Sequence, residues 1–224
     1  MIKIGKYRAL RNIPTGWLLQ AIHSTGRSEM LFRLSVEAVL LVGLLGIVST
    51  LFGNISSLEI LLCFVIVHTL MWFLTGNFWV YVLDSFDCMV NPGLKRILWF
   101  VHLSDRMFQR FNCVQAILIY GSMCRSQFHR RSDLDLRIIR ATGFRGIIAL
   151  VLGFMLRAYS FFFLLPVDLQ VVDSISFLRR QMRADEKPIR VFLRSGLEME
   201  TGLTFDEICQ TPEIVLRCRK MDTA

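Results

Sequence analysis

The chain has 224 residues, of which 54% are hydrophobic, and its formal net charge is +8 at pH 7. This hydrophobic fraction exceeds the roughly 45–50% typical of soluble domains, so the composition excludes an ordinary soluble protein. Apolar runs flanked by basic residues favour a chain at an anionic membrane surface. The six cysteines are scattered without a Cys-x-x-Cys pair, which argues against a structural zinc site or a disulfide framework.

Two apolar stretches are long enough to cross a bilayer, which takes about 20 residues in a helix. They cover residues 34–52 and 58–83, and the turn between them, residues 53–57, carries no basic residue. Basic residues precede the first stretch and follow the second, and this bias places both flanks in the cytoplasm. The sequence therefore predicts a transmembrane helical hairpin over residues 34–83 of an integral protein of the inner or cytoplasmic membrane, with both termini cytoplasmic.

His68 falls inside the second stretch, where an ionisable side chain often has a function. Because it stands alone there, we expect a neutral histidine that is hydrogen-bonded to the partner helix. The function of the basic arm over residues 1–33 is left open by its sequence.

The segment over residues 84–112 begins with polar residues and a turn signal at Pro92-Gly93. Apolar residues then recur at helical spacing from Lys95 to Phe111. We therefore expect a linker followed by an amphipathic helix, which leads into a cytoplasmic domain over residues 113–224.

Residues 114–120 form a short apolar run, rich in β-branched and aromatic side chains, that ends at Gly121-Ser122. This pattern predicts a buried strand running into a tight turn. Further along, Asp133 and Asp135 alternate with leucines, and residues two apart in a strand point to the same face. Two like charges side by side are unfavourable without a cation between them, and ligands that are all oxygen favour Mg²⁺ or Mn²⁺.

A third carboxylate, Asp168, stands in another apolar run that is typical of a strand. Three carboxylates on neighbouring strands can hold two metal ions for in-line displacement at phosphorus. Asp173 competes for this third position, but it lies at the expected end of the strand, so we favour Asp168.

The order of these motifs resembles that of the DNA polymerase β-like nucleotidyltransferases, above all their minimal and antibiotic-modifying members. The resemblance covers residues 114–173. Its matching residues are Gly121 and Ser122 after a hydrophobic run, then Ser132, Asp133, Leu134 and Asp135 after a spacer, and finally Val167, Asp168 and Leu169. Arg125 matches an arginine often found three residues after the serine.

The resemblance implies an α+β nucleotidyltransferase domain, a mixed sheet with flanking helices, here anchored by the transmembrane hairpin. It also implies that the Gly-Ser turn and a helix after it hold the phosphates of an NTP. An acceptor group then attacks the α-phosphate, and pyrophosphate leaves. The implied nucleotide-binding residues are Gly121, Ser122, Arg125 and Ser132, and the implied catalytic and Mg²⁺- or Mn²⁺-binding residues are Asp133, Asp135 and Asp168.

A third apolar stretch separates Asp135 from Asp168. If it crossed the membrane once, the two carboxylates would lie on opposite sides and could not share a site. We therefore expect a helix over about residues 144–159 and a strand over about 161–172. A basic helix over 174–183 and an edge strand within 188–196 complete the expected domain.

The leading interpretation is a membrane-anchored, Mg²⁺-dependent enzyme that moves a nucleoside monophosphate from an NTP to an acceptor near the cytoplasmic membrane face. Lipid-linked glycan or headgroup metabolism would explain the anchor. The alternatives are a toxin- or resistance-type nucleotidyltransferase and a catalytically inert membrane interaction protein with the same fold. Membrane lipid is an expected partner, nothing points to nucleic acid in so short a chain, and a homo-oligomer is left open.

Overall fold

A computed structural model describes residues 13–20, 25–75, 77–86, 90–181 and 186–216. The helices are α1 (Arg27–Phe52), α2 (Ser57–Thr75), α3 (Phe78–Ser85), α4 (Leu94–Arg110), α5 (Phe144–Phe162), α6 (Ile175–Gln181) and α7 (Phe205–Gln210). The strands are β1 (Val114–Tyr120), β2 (Leu134–Arg140), β3 (Val167–Val172) and β4 (Ile189–Leu193). Residues 13–19 are also helical, and Pro212–Val215 form a 3₁₀ turn.

The strands form one mixed sheet in the order β3-β2-β1-β4. β1 is antiparallel to both β2 and β4, whereas β2 and β3 are parallel. Helices flank this sheet, so the α+β class expected from the sequence is confirmed at this level.

The two faces of the sheet have different partners, because successive strand residues point to opposite sides. One face, which includes Ile117, Leu136 and Leu169, packs against α4 and α5 in the larger hydrophobic core. The other face, which includes Leu118, packs against Leu178 of α6 in a smaller core. The alternation places the predicted aspartates on this second face.

The α5 helix connects the adjacent parallel strands β2 and β3, so it returns the chain to the same sheet. It packs closely there: a Cβ on Gly153 would lie 2.7 Å from Cγ2 of Val171. The expected strand–helix–strand order is confirmed, but the predicted boundary was too early. The helix continues to Phe162, and within its last turn Phe161 stacks on Phe73 with ring centroids 5.4 Å apart. The strand begins only at Val167.

Among the described residues, α1, α2 and α5 are long and apolar enough to cross a membrane. The first predicted stretch lies within α1. The second, predicted as continuous over residues 58–83, is divided: α2 ends at Thr75 and α3 begins at Phe78. Asn77, between these two helices, adopts a left-handed conformation (φ 58°). Asparagine tolerates this conformation better than most residues do.

His68 is hydrogen-bonded to its partner helix, as expected. Its Nδ1 lies 2.7 Å from Oε1 of Glu37 in α1 and 3.0 Å from Nε2 of Gln20. Its Nε2 lies 3.0 Å from the carbonyl oxygen of Trp17. These contacts join the 13–20 segment to α2, and α2 to α1.

A buried ionic cluster fixes α1 to the sheet. Glu29 is ion-paired with Arg33 (2.6 Å) and with Arg157 of α5, and all three residues are less than 5% exposed. Glu29 also accepts a hydrogen bond from the backbone N–H of Val171 (2.6 Å), and Arg157 donates one to the carbonyl oxygen of Leu169 (2.8 Å). The end of the predicted arm therefore packs on the domain, while residues 1–12 and 21–24 of that arm lie outside the described part.

Candidate active site

The site residues meet at one edge of the sheet, where β1 ends and where β2 and β3 begin. Tyr120, the last residue of β1, is the register partner of Asp135. Asp135 is in turn the register partner of Asp168 on the parallel strand β3. Strand pairing thus brings Gly121-Ser122 and two distant aspartates to the same place. Asp173 lies beyond the far end of β3, bound to Arg140 (2.7 Å).

Arg137 supplies a cation to this edge. Its Nη2 lies 2.7 Å from Oδ2 of Asp168 and 3.3 Å from Oδ1 of Asp135, and its Nη1 donates to the backbone carbonyl of Asp168 at 2.6 Å. It follows Asp135 by two positions and therefore shares its face. Sequence reasoning missed this residue, although the Asp-x-Asp-x-Arg alternation contains the signal.

Asp168 is surrounded by hydrogen-bond donors. Gln170 Nε2 lies 3.2 Å from each carboxylate oxygen, and Asn77 donates its side-chain amide to Oδ1. Burial acts to raise the pKa of Asp168, but Arg137 and these amide donors outweigh it and hold the pKa below its ordinary value. Asp168 is thus ionised at neutral pH.

The other two aspartates have raised pKa values. Burial, together with the negative charge of Asp168, raises the pKa of Asp133 to about 6. Burial and the charge of Asp133 raise the pKa of Asp135 to about 7, against the opposing effect of Arg137. Negative charge at this edge is therefore only partly compensated by the protein itself.

The Gly121-Ser122 turn lies directly against Asp135. Gly121 has φ +74°, and a Cβ there would overlap Oδ2 of Asp135, so the close approach requires glycine. The hydroxyl of Ser122 is buried and has no hydrogen-bond partner in the described structure. A buried hydroxyl of this kind can bind a further polar group.

The helix expected after the Gly-Ser turn is absent: residues 121–126 form turns only. That expectation was wrong. The N–H of Gln127 bonds back to the carbonyl of Ser122 (2.9 Å), and Ser126 is left-handed with φ 52°. These two features close the loop before a second helical turn can form.

Arg125 lines the same cavity as Asp135, whereas the hydroxyl of Ser132 is engaged elsewhere. Arg125 is ion-paired with Glu186, a site residue that sequence reasoning missed. A cavity of about 220 Å³ is lined by Tyr120, Gly121, Arg125, Asp135, Arg137, Leu178, Gln181 and Glu186. Ser132 is buried, and its hydroxyl accepts a hydrogen bond from the backbone N–H of His129 (3.0 Å), so it organises the loop before β2.

No three His, Cys, Asp or Glu side chains within the described ranges are arranged to hold a metal ion. The donor chemistry at the sheet edge nevertheless fits a hard divalent cation, because Asp133, Asp135 and Asp168 offer only oxygen. Burial is the main cause of the raised pKa values of Asp133 and Asp135, and a bound cation would lower both. The magnesium site remains a prediction.

Comparison with known protein families, with characterised proteins and with solved structures finds no match for this chain. The nucleotidyltransferase resemblance rests on the chain's own motifs, over residues 114–173.

Proposed function

We propose that this protein is a membrane-associated nucleotidyltransferase that transfers a nucleoside monophosphate from an NTP to an acceptor at the cytoplasmic membrane face. One observation carries the proposal. Asp135 and Asp168 stand opposite each other on parallel strands, and Asp135 lies directly against the Gly121-Ser122 turn. Carboxylates next to a glycine turn suit chemistry at a phosphoryl group.

Each part of the edge has a role in this proposal. Asp133, Asp135 and Asp168 would hold Mg²⁺, which when bound would neutralise charge that develops on the phosphate oxygens. The unpartnered Ser122 hydroxyl would donate to a phosphate oxygen. Arg125, at the rim of the cavity, would exchange its Glu186 partner for triphosphate charge.

The transfer forms one bond and breaks one. The acceptor oxygen attacks the α-phosphorus, the bond to the bridging oxygen of the β-phosphate breaks, and pyrophosphate leaves. The proton of the attacking hydroxyl passes to a carboxylate of the edge.

The membrane setting is supported by the contact between the apolar helices and the site. α1 and α2 are each long and apolar enough to cross a bilayer, and Asn77, which follows α2, touches Asp168. Both chain termini and the sheet would then lie on the cytoplasmic side, with the catalytic edge near the bilayer. An acceptor embedded in the membrane, such as a lipid-linked glycan or a lipid headgroup, would reach the edge from there.

One observation favours a second candidate, a catalytically inert membrane protein with this fold. Arg137 already forms ion pairs with Asp135 and Asp168, as a purely structural cluster would. The two candidates differ in whether the edge binds Mg²⁺ and an NTP.

The test uses the purified full chain with Mg²⁺, each of the four NTPs labelled at the α-phosphate, and native membrane extract as the source of acceptor. We expect the natural chain to transfer the label, and we expect Asp133→Ala and Asp135→Ala to lose this transfer. Glu200→Ala, which removes an exposed carboxylate, is the control and should retain it. Transfer that survives both aspartate substitutions contradicts the site. If no NTP binds or reacts, the inert candidate is favoured.

A further inference from the structure

An open cavity of about 280 Å³ lies between α4 and the C-terminal end of α5. These helices cover the face of the sheet opposite to the carboxylates. The cavity is lined by Arg96, Trp99, Tyr159, Phe163 and Leu165. It is therefore separate from the candidate active site, and its lining combines aromatic rings with one cation.

The aromatic wall is preformed. The rings of Tyr159 and Phe163 stack with centroids 4.1 Å apart, and Trp99 lies 6.0 Å from Tyr159. Trp99 and Phe163 are nonetheless about half exposed, at 51% and 53%. A wall of this kind offers a long apolar contact to a ligand without the entropic cost of ordering its side chains.

Arg96 provides the charge. It is exposed, and within the described part of the chain it makes no hydrogen bond or ion pair. No acidic residue is among the described residues that line the cavity, and Lys95 is its chain neighbour. An unpaired guanidinium beside an apolar wall is complementary to a phosphate that carries a hydrocarbon chain.

The position of the cavity relative to α2 indicates where such a ligand comes from. Phe162, Phe163 and Leu164 form an exposed apolar tip at the end of α5. The preceding residue, Phe161, stacks on Phe73 near the C-terminal end of α2. The tip is thus level with the end of a helix that is apolar enough to cross a bilayer. Consecutive exposed large apolar side chains are unfavourable in water but expected at a membrane interface.

We infer that this cavity binds an anionic phospholipid, with the headgroup phosphate at Arg96 and an acyl chain along Trp99, Tyr159 and Phe163. The inference rests on the membrane association in the proposed function, and it is independent of nucleotidyl transfer. The bound lipid would fix α4 and α5 at the bilayer surface.

The experiment uses the full chain in mixed detergent micelles with brominated phosphatidylglycerol or brominated phosphatidylcholine. Bromine quenches nearby tryptophan fluorescence, and the difference between the natural chain and Trp99→Phe isolates the signal of Trp99. We expect phosphatidylglycerol to quench Trp99 at lower mole fraction than phosphatidylcholine. Arg96→Gln should weaken this preference by about fivefold, the effect of one arginine near an anionic lipid.

Arg110→Gln is the matched control, because it removes an exposed arginine from the last turn of the same helix, away from the cavity. Equal quenching of Trp99 by both lipids overturns the inference, and so does an equal loss of preference in Arg96→Gln and Arg110→Gln. Protection of Trp99 from both lipids in a stable oligomer would show that a second copy covers the cavity, and would also overturn it. Absence of lipid quenching at every tryptophan contradicts membrane association itself, whereas failure of NTP binding leaves this inference standing.

Discussion

The side-chain amide of Asn77 donates a hydrogen bond to Oδ1 of Asp168, although the two residues are 91 positions apart in the chain. Asn77 lies two residues after the end of α2, so the apolar hairpin contributes a side chain to the carboxylate edge. The apolar hairpin and the candidate site are therefore one structural unit, and substitutions in the hairpin should affect both.

Asn77→Ala removes this donor from Asp168. We expect nucleotidyl transfer to fall about tenfold, because a hydrogen bond to a charged group of this kind contributes roughly 1.5–3 kcal/mol. The measurement is kcat/KM for the NTP with membrane extract as acceptor. Asn54→Ala, an exposed asparagine in the turn at the other end of the hairpin, is the control and should leave kcat/KM unchanged. Equal rates for the natural chain and Asn77→Ala would show that this contact has no part in the chemistry.

Gly121→Ala forces a methyl group into the space of Asp135 Oδ2 and strains a backbone at φ +74°. We expect loss of transfer of about hundredfold, because a displacement of about 1 Å at a reacting centre has that effect. Gly196→Ala is a matched control: its φ is +87°, but no atom lies within 4 Å of its added Cβ. If both variants lose activity equally, backbone strain and not contact with Asp135 is responsible.

The raised pKa of Asp135 makes the stability of the metal-free protein depend on pH. In the folded state this pKa is about 7, above the value of about 3.9 in an unfolded chain, so the folded state holds the proton more tightly. The resulting stabilisation is complete below about pH 4 and is lost as pH rises through 7. Asp135→Asn, which cannot ionise, should therefore be more stable than the natural chain at pH 8, by on the order of 1–3 kcal/mol.

Thermal unfolding in detergent with a chelator measures this difference in stability. The Tm values of the natural chain and Asp135→Asn should converge at pH 4. Added Mg²⁺ should raise the Tm of the natural chain at pH 8 more than that of Asp135→Asn. A stability difference that does not change with pH would contradict the assignment of the raised pKa to Asp135.

Glu29→Ala leaves Arg33 and Arg157 buried without their shared carboxylate, and the N–H of Val171 without its acceptor. Removing one partner of a buried ionic cluster costs about 3–5 kcal/mol, so the free energy of unfolding should fall by that amount. Denaturant unfolding in detergent measures it. Glu200→Ala breaks a solvent-exposed pair with Lys187 and should leave the free energy of unfolding almost unchanged. Equal effects of the two substitutions would mean that the Glu29 cluster does not fix α1 to the sheet.

The predicted orientation of the hairpin is tested by Asn54→Cys. If the 53–57 turn faces outward, this cysteine reacts with an impermeant thiol reagent on intact cells. The natural chain carries an exposed thiol at Cys209, in the domain predicted to be cytoplasmic, and should be labelled only after lysis. Labelling of Asn54→Cys only after lysis would reverse the orientation.

Local patterns in the sequence were sufficient for the elements around the site. The alternation of aspartate and leucine predicted β2, the apolar run before Gly121 predicted β1, and helical spacing predicted α4. Each of these signals depends on residues a few positions apart, and for that reason each could be read from the chain. The division of the second apolar stretch at Asn77 could not be predicted from the sequence, because that break coincides with a contact to a distant strand.

The sequence by itself determined the carboxylate motif, the glycine turn and the two apolar stretches, since each depends on the order of neighbouring residues. Only the tertiary structure decided which groups surround the motif. Arg137 became a partner of both Asp135 and Asp168 through the register of two parallel strands. Glu29 and Arg157, 128 positions apart, met because two apolar helices pack on one edge strand. Burial in that packing makes an unpaired charge unfavourable, and this is the physical reason why such distant residues form ion pairs.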